Sequence, residues 1–464
     1  MDELTNGTNT GNALDPAGEL QGIVGDCVHC GFCLPSCPTY QLWGEEMDSP
    51  RGRIHLIGQL LNGEEASDAA AEHLDRCLGC MACVPACPSG VRYDKLIEAA
   101  RSWAADAGAA GAVPVTALPP RSARERALRA AIFATFPYPA RMRWLMGPLR
   151  AAQRTRTDKL VQRGVGRLAP ELAAALRLAP ALPGPPARPG RPGRPPRRVP
   201  RGRLPSRIPA RGERRAVVGM LTGCVQQVFF PQVNLATARV LAAEGCDVVI
   251  PPAQRCCGAL SLHDGRRAEA RAFAASLIAT FEQAGVDAIV VNSAGCGSAM
   301  KEYGDLLADD QALADRAAAL SARVADLSEF LAALGPAAPR HALALTVAYH
   351  DACHLAHAQR ITSQPRGLLR AIPGIKLVEL ADAGTCCGSA GIYNLVQPGT
   401  ARELGDRKAA AVSQAGADLV VSANPGCALQ ISSALAAAGT PVPVAHLAEV
   451  LDASIRGQSP ATLR

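Results

Sequence analysis

Residues 27–38 read CVHCGFCLPSCP and residues 77–88 read CLGCMACVPACP. Both have the form C-x2-C-x2-C-x3-C-P, so eight of the 17 cysteines stand in two matching runs. Three thiolates this close in sequence wrap three corners of a small inorganic cube only where the backbone turns tightly, and Gly31, Gly79 and Ala82 permit that turn. The fourth cysteine of each run points away, and Pro38 and Pro88 fix the backbone directly behind it. Paired structural zinc sites are the competing reading, but zinc knuckles use two separated C-x2-C pairs and not two identical runs of four.

Bacterial ferredoxins bind [4Fe–4S] clusters through this run, and in their two-cluster forms the fourth cysteine of each run serves the other run's cluster. On that pattern Cys27, Cys30, Cys33 and Cys87 hold one cluster, and Cys77, Cys80, Cys83 and Cys37 hold the second. The N-terminal part is therefore expected to carry electrons, and no residue in it is assigned a catalytic role.

The rest of the 464 residues divides by composition. Residues 1–20 are polar and Gly/Asn-rich and are expected to be disordered. Residues 21–105 form the two-cluster domain, and 106–182 a helical connecting region whose apolar positions recur at helical spacing from Arg121 to Leu178. Residues 183–215 hold eleven Arg, one acid (Glu213) and ten Pro, a density expected to prevent helix or sheet and to leave an extended tether. That stretch carries a surplus of ten positive charges, so the net charge of +7 belongs to the linker and the remainder is slightly acidic. No specific nucleic-acid partner follows from it; peripheral contact with an anionic membrane surface is the open option. The opening MDELTNGTNT lacks a charged and then apolar leader, and no run of 18 apolar residues occurs. The cysteines thus read as metal ligands in a reducing, cytoplasmic setting and not as a disulfide framework.

An internal repeat decides the C-terminal half. Cys224, Cys256, Cys257 and Cys296 recur as Cys353, Cys386, Cys387 and Cys427 at offsets of 129 to 131 residues. The flanking text repeats as well, "CCGAL" against "CCGSA" and "AIVVNSAGC" against "LVVSANPGC". Two tandem domains follow, at 216–340 and 341–456. Each has short β-branched runs (AVVGML, DVVIPP, AIVVNS; LTVAYH, IKLVEL, LVVSAN) between helical stretches, the pattern of a parallel sheet with its cysteines at the strand ends. Four thiols per repeat suffice for a further cluster or a zinc ion; a repeat that keeps only the fold is the third option. Cys246 belongs to neither set and reads as a small buried apolar residue. His350, His354 and His357 flank Cys353 in the second repeat alone, which makes that repeat the better candidate for a metal or redox site. The expected architecture is α+β and multidomain, a mainly helical two-[4Fe–4S] ferredoxin-like domain followed by two tandem α/β cysteine-rich domains.

Beyond the cysteines, "CVHCGFCLPSCPTYQLWGEEMDSPRGRIHLIGQLL" (27–61) and "EHLDRCLGCMACVPACPSGVRYDKLIEAAR" (72–101) resemble the iron–sulfur subunits of glycolate oxidase, also called glycolate dehydrogenase, over nearly every position. The likeness covers 21–105 and 216–456, with 106–215 as the exception. It implies a subunit that takes electrons from a separate FAD-containing partner oxidising glycolate to glyoxylate and passes them to a quinone or other acceptor, in the cytoplasm or at the inner face of its membrane. The absence of a G-x-G-x-x-G fingerprint agrees, since hydride chemistry then belongs to the partner. Iron–sulfur subunits of lactate-utilisation systems and of anaerobic glycerol-3-phosphate dehydrogenase share the layout. Heterodisulfide reductase-like proteins end such domains in C-x-x-C, whereas this chain reads Cys296-Gly-Ser-Ala299 and Cys427-Ala-Leu-Gln430, which weakens a disulfide reductase reading.

Overall fold

A computed structural model describes residues 14–15, 18–64, 67–106, 118–119, 121–155, 157, 164, 170–179 and 204–463. Two compact units emerge, Met1–Arg126 with His263–Arg266, and Ala127–Leu262 with Arg267–Arg464. The disorder expected at 1–20 falls mostly outside the described residues, as does the tether from 183 to 203.

The first unit is built from short helices: α1 (Glu19–Gly25), α2 (Pro38–Trp43), α3 (Pro50–Leu61), α4 (Asp68–Asp75), α5 (Cys83–Ala86) and α6 (Tyr93–Asp106). Pro38 and Pro50 open their helices, where a missing N–H breaks no bond. Ser49 and Ser67 cap α3 and α4 by accepting from the N–H groups of Gly52 and Ala70. The apolar faces of α3 and α6 meet over Ile54, Ile57, Leu96 and Ile97, and Cys77 and Cys83 belong to the same core. The second cysteine loop is thus part of the packing.

In the second unit the two repeats form two sheets. The first has the order β1 (Arg207–Ile208), β3 (Cys246–Val249), β2 (Ala216–Leu221), β4 (Ala288–Val291), β5 (Val324–Asp326), with only β1 antiparallel. The second is fully parallel, with the order β7 (Ile375–Val378), β6 (Leu345–His350), β8 (Leu419–Ser422), β9 (Val444–Ala445). Leaving β1 aside, the topologies and registers coincide, Val218 facing Ala288 in one sheet and Val347 facing Leu419 in the other.

Strand β1 corrects the reading of 183–215 as wholly unpaired chain. Pro205 and Pro209 flank Arg207–Ile208 without interrupting it, and an edge strand needs partners on one side only. Arg207 also pairs with Asp247 at 2.6 Å. Upstream, the helix Pro139–Thr155 sets Met142 against Cys224 and Cys256, and Ile132 and Phe133 pack on Ile392 and Leu395. The connecting region thus packs through Ile132, Phe133 and Met142, while Trp144 and Leu145 stay exposed.

The repeats share one core. Val218, Met220, Val248 and Val290 from the first sheet join Leu345, Val347, Leu419 and Val421 from the second, and Cys246 lies fully buried among them. Hydrogen bonds cross the same boundary from Ala294 N to Ala423 O at 3.0 Å and between His446 and Asn292 O at 2.8 Å. His446 Nδ1 accepts from Ala448 N at 3.0 Å, so in this bonding pattern Nε2 carries the proton and donates to Asn292.

Burial lowers the His446 imidazole from 6.5 to about 4, against the opposing pull of the Asn292 carbonyl. The unfolded ring takes up a proton near 6.5 while the folded one resists, so its contribution to stability is complete above that value. It is lost as pH falls from 6.5 toward 4, by about 3 kcal/mol in all. Chemical denaturation between about pH 7.5 and about pH 4.5 should show this loss, and His446→Gln should flatten the slope; an unchanged slope would remove His446 as its source.

Candidate metal centres

Each N-terminal run is shaped by paired left-handed residues. His29 and Gly31 have φ of 53° and 83°, and Gly79 and Met81 have 62° and 61°, at the same places in the two runs. This backbone turns each C-x2-C-x2-C into a tight loop, and Gly79 N donates to Cys77 Sγ at 3.3 Å. One arginine braces each loop. Arg51 Nη1 donates to His29 O at 3.0 Å, and Arg101 Nη2 donates to Cys77 O at 2.5 Å. A Cβ on Gly31 would stand 2.7 Å from Arg51 Nη1, and one on Gly79 would stand 2.9 Å from Arg101 Nη1. Sequence reading missed both arginines, although they stand at the same offset as the runs they brace.

The thiols group across the runs. Cys27, Cys30 and Cys33 line one cavity together with Cys83 and Cys87 from the second run. Cys83 has as charge neighbours Cys80 and Cys77 of its own run and Cys37 and Cys33 of the first. The first run is the more open, with Cys30 exposed and Val28 and Phe32 about two-thirds exposed; Cys77 and Cys83 are buried. Burial, reinforced by the neighbouring thiols, pushes Cys83 well above the ordinary range. Burial acts on Cys77 in the same sense, but the charges of Arg53 and Arg101 with the Tyr93 hydroxyl and Gly79 N–H outweigh it and bring Cys77 below the ordinary value. Crowded buried thiols ionise readily only as metal binds, so loading releases protons.

Cys37 is held by a buried polar lattice. Its sulfur lies 3.2 Å from Thr39 Oγ1, which donates to Asp48 O at 2.7 Å. Arg53 pairs with Asp48 at 3.1 Å with both side chains almost fully buried, and also donates to Thr39 Oγ1 and His73 O. His73 and Arg76 complete the contacts to the Asp48 carboxylate.

In the second unit the predicted cysteines of each repeat come together at the strand ends. Cys224 follows β2, Cys256–Cys257 follow β3 and Cys296 follows β4, with Cys256 and Cys224 sulfurs 3.5 Å apart and Cys257 in contact with both Cys256 and Cys296. Cys353, Cys386, Cys387 and Cys427 form the matching chain of contacts in the second repeat. The glycine after each pair has a steric reason. Gly258 and Gly388 have φ of 82° and 88°, and a Cβ on Gly388 would stand 2.6 Å from Ala401 O. Gly258 N and Gly388 N each donate to the first sulfur of the pair at 3.4 Å.

The three histidines part company. His357 Nε2 bonds Gly384 O at 2.9 Å, and His354 starts a short helical turn. His350, fully buried at the end of β6, lies with Cys387 and Cys427 so that one donor atom from each falls within 4.8 Å of the others.

Known proteins resemble the chain segment by segment. Residues 23–91 match the family described as 4Fe-4S dicluster domain, and 218–301 and 347–432 each match that described as Cysteine-rich domain. Residues 124–179 match the family described as Glycolate oxidase iron-sulfur subunit, linker region. This last match corrects the exclusion of 106–215, because the likeness runs through the helical connector. The probable glycolate oxidase iron-sulfur subunit of Bacillus subtilis is 37% identical over 93% of this chain and 94% of its own length. The glycolate oxidase iron-sulfur subunit of Escherichia coli is 36% identical over 90% and 91%. Lactate utilization protein A of Exiguobacterium sp. is 31% identical over 52% of this chain and 98% of itself. With such identity over nearly its full length and a linker of the same kind, the chain belongs to the family of glycolate oxidase iron–sulfur subunits.

Proposed function

We propose that the chain is the electron-transfer subunit of a glycolate-oxidising complex, with one [4Fe–4S] cluster on Cys27, Cys30, Cys33 and Cys87 and another on Cys77, Cys80, Cys83 and Cys37. The observation that carries the reading is the contact of thiols across the runs, with Cys87 and Cys83 in one cavity with the first run and Cys37 beside Cys83. A [4Fe–4S] cluster held there supplies one-electron redox chemistry at a potential tuned by burial and by hydrogen bonds to sulfur. The chain's own residues set those terms. Tyr93 Oη donates to Cys77 Sγ at 3.4 Å, and Arg53 and Arg101 place positive charge near the buried run. The first run, with Cys30, Val28 and Phe32 exposed, offers an edge to a redox partner.

In this reading a separate FAD-containing subunit oxidises glycolate to glyoxylate, and this chain relays its electrons to a quinone or another acceptor. No described helix is long and apolar enough to cross a membrane, so contact with a membrane quinone would be peripheral. The half-length likeness to lactate utilization protein A makes lactate the comparison substrate. Anaerobic co-purification with the flavin subunit, followed by reduction of a quinone analogue, should give turnover with glycolate well above that with lactate. Turnover that persists without this chain, or a preference for lactate, would overturn the assignment.

A further inference from the structure

We propose that His350, Cys387 and Cys427 form a mononuclear Zn2+ site in the second cysteine-rich repeat, with Ser422 as the residue that positions the imidazole. Both nitrogens of His350 are buried without a nitrogen or oxygen partner, with the Cys387 thiol against the ring, and the Ser422 hydroxyl is buried without a partner. These two residues face one another across the β6–β8 ladder. The same register position in the first repeat pairs Leu221 with Val291, both buried and apolar. A polar pair thus stands at one of two equivalent core positions, where leaving it unsatisfied is costly and an apolar pair is already accommodated by the fold.

The surroundings supply soft donors. One donor atom each from His350, Cys387 and Cys427 lies within 4.8 Å of the other two, a spread that a tetrahedral ion with bonds of about 2.0–2.3 Å spans after small side-chain shifts. A [4Fe–4S] cluster binds each thiolate to a different iron and needs its donors farther apart than a single ion does. Cys386, in contact with Cys387 and Cys353, supplies further thiol donors beside the trio. An imidazole with two or three thiolates is a ligand set that favours zinc. A metal-bound imidazole uses one nitrogen and offers the other as a donor, and the Ser422 hydroxyl is the unpaired group within the same ladder step.

The segment that carries His350 is held in place. Arg366 grips Asp351 through two bonds of 2.8 and 2.7 Å, reaches Glu379 at 2.8 Å and lies over the Tyr349 ring at 5.1 Å. The residues on both sides of His350 are thereby fixed, which holds its backbone at the end of β6 beside the sulfurs.

The test uses full-length protein prepared anaerobically, with zinc and iron counted per chain and the zinc environment read by X-ray absorption. About one zinc per chain is expected, with one imidazole nitrogen and otherwise sulfur around it. Ser422→Val should weaken zinc binding about 10-fold or more, read by competition with a chelator. The double variant His350→Leu with Ser422→Val copies the apolar pair of the first repeat, so the fold has a precedent for it; zinc should be lost while the iron count and the cluster EPR signals stay unchanged. An all-sulfur zinc shell that the double variant leaves intact would overturn the proposal, and so would iron in excess of about eight per chain with no zinc. Both readouts are independent of glycolate turnover, so failure here and failure of the relay reading are distinguishable.

Discussion

Replacing Cys87 with serine should halve the iron content, from about eight atoms per chain to about four, and the cluster lost should be the one anchored by Cys27, Cys30 and Cys33. The reason is spatial, since Cys87 lines the cavity of the first run although it belongs to the second in sequence. A combination test makes the result unambiguous. Cys30→Ser with Cys87→Ser should lose no more iron than either alone, because both remove ligands of one cluster. Cys80→Ser with Cys87→Ser should lose nearly all of it. If the second pair instead proved no worse than its single variants, each run would hold its own cluster and the crosswise assignment would fall.

Arg53→Ala should destabilise the first unit by about 3–5 kcal/mol, the usual range for stranding one partner of a buried ion pair. Asp48 would keep its burial while losing the 3.1 Å contact, and Thr39 Oγ1 and His73 O would each lose a donor. Thr39 also contacts the Cys37 sulfur, so the damage should reach the second cluster first. Urea denaturation followed through the visible absorption of the clusters would measure both effects. A loss under about 1 kcal/mol would place Arg53 among ordinary surface-type pairs.

Much of this was legible in the chain because some signals depend on sequence distance alone. The two cysteine runs, the offset of the cysteine repeat and the β-branched segments AVVGML, DVVIPP, AIVVNS, LTVAYH, IKLVEL and LVVSAN, which overlap β2, β3, β4, β6, β7 and β8, all belong to that class. The short strands β1, β5 and β9 escaped notice because two or three residues carry no periodicity, and β1 was hidden in Pro-rich text. The bracing arginines and the Asp48–Arg53 pair were illegible for another reason. A charged residue near a helix start looks solvated until tertiary packing buries it, as happens to Arg53 at 1% exposure. His350 was flagged only as one of three histidines; its distinction from His354 and His357 depends on the register of β6 against β8.

The common core of the two repeats has a consequence for how their chemistry diverged. Val218 and Val347 sit in one apolar cluster, so the duplicated halves behave like the subunits of a dimer tied into a single polypeptide. In a true homodimer any substitution appears twice, and a change from Leu to His would bury two imidazoles at once. Tying the copies together removes that constraint. One half keeps Leu221 opposite Val291 as scaffold, while the other is free to place His350 and Ser422 beside its sulfurs.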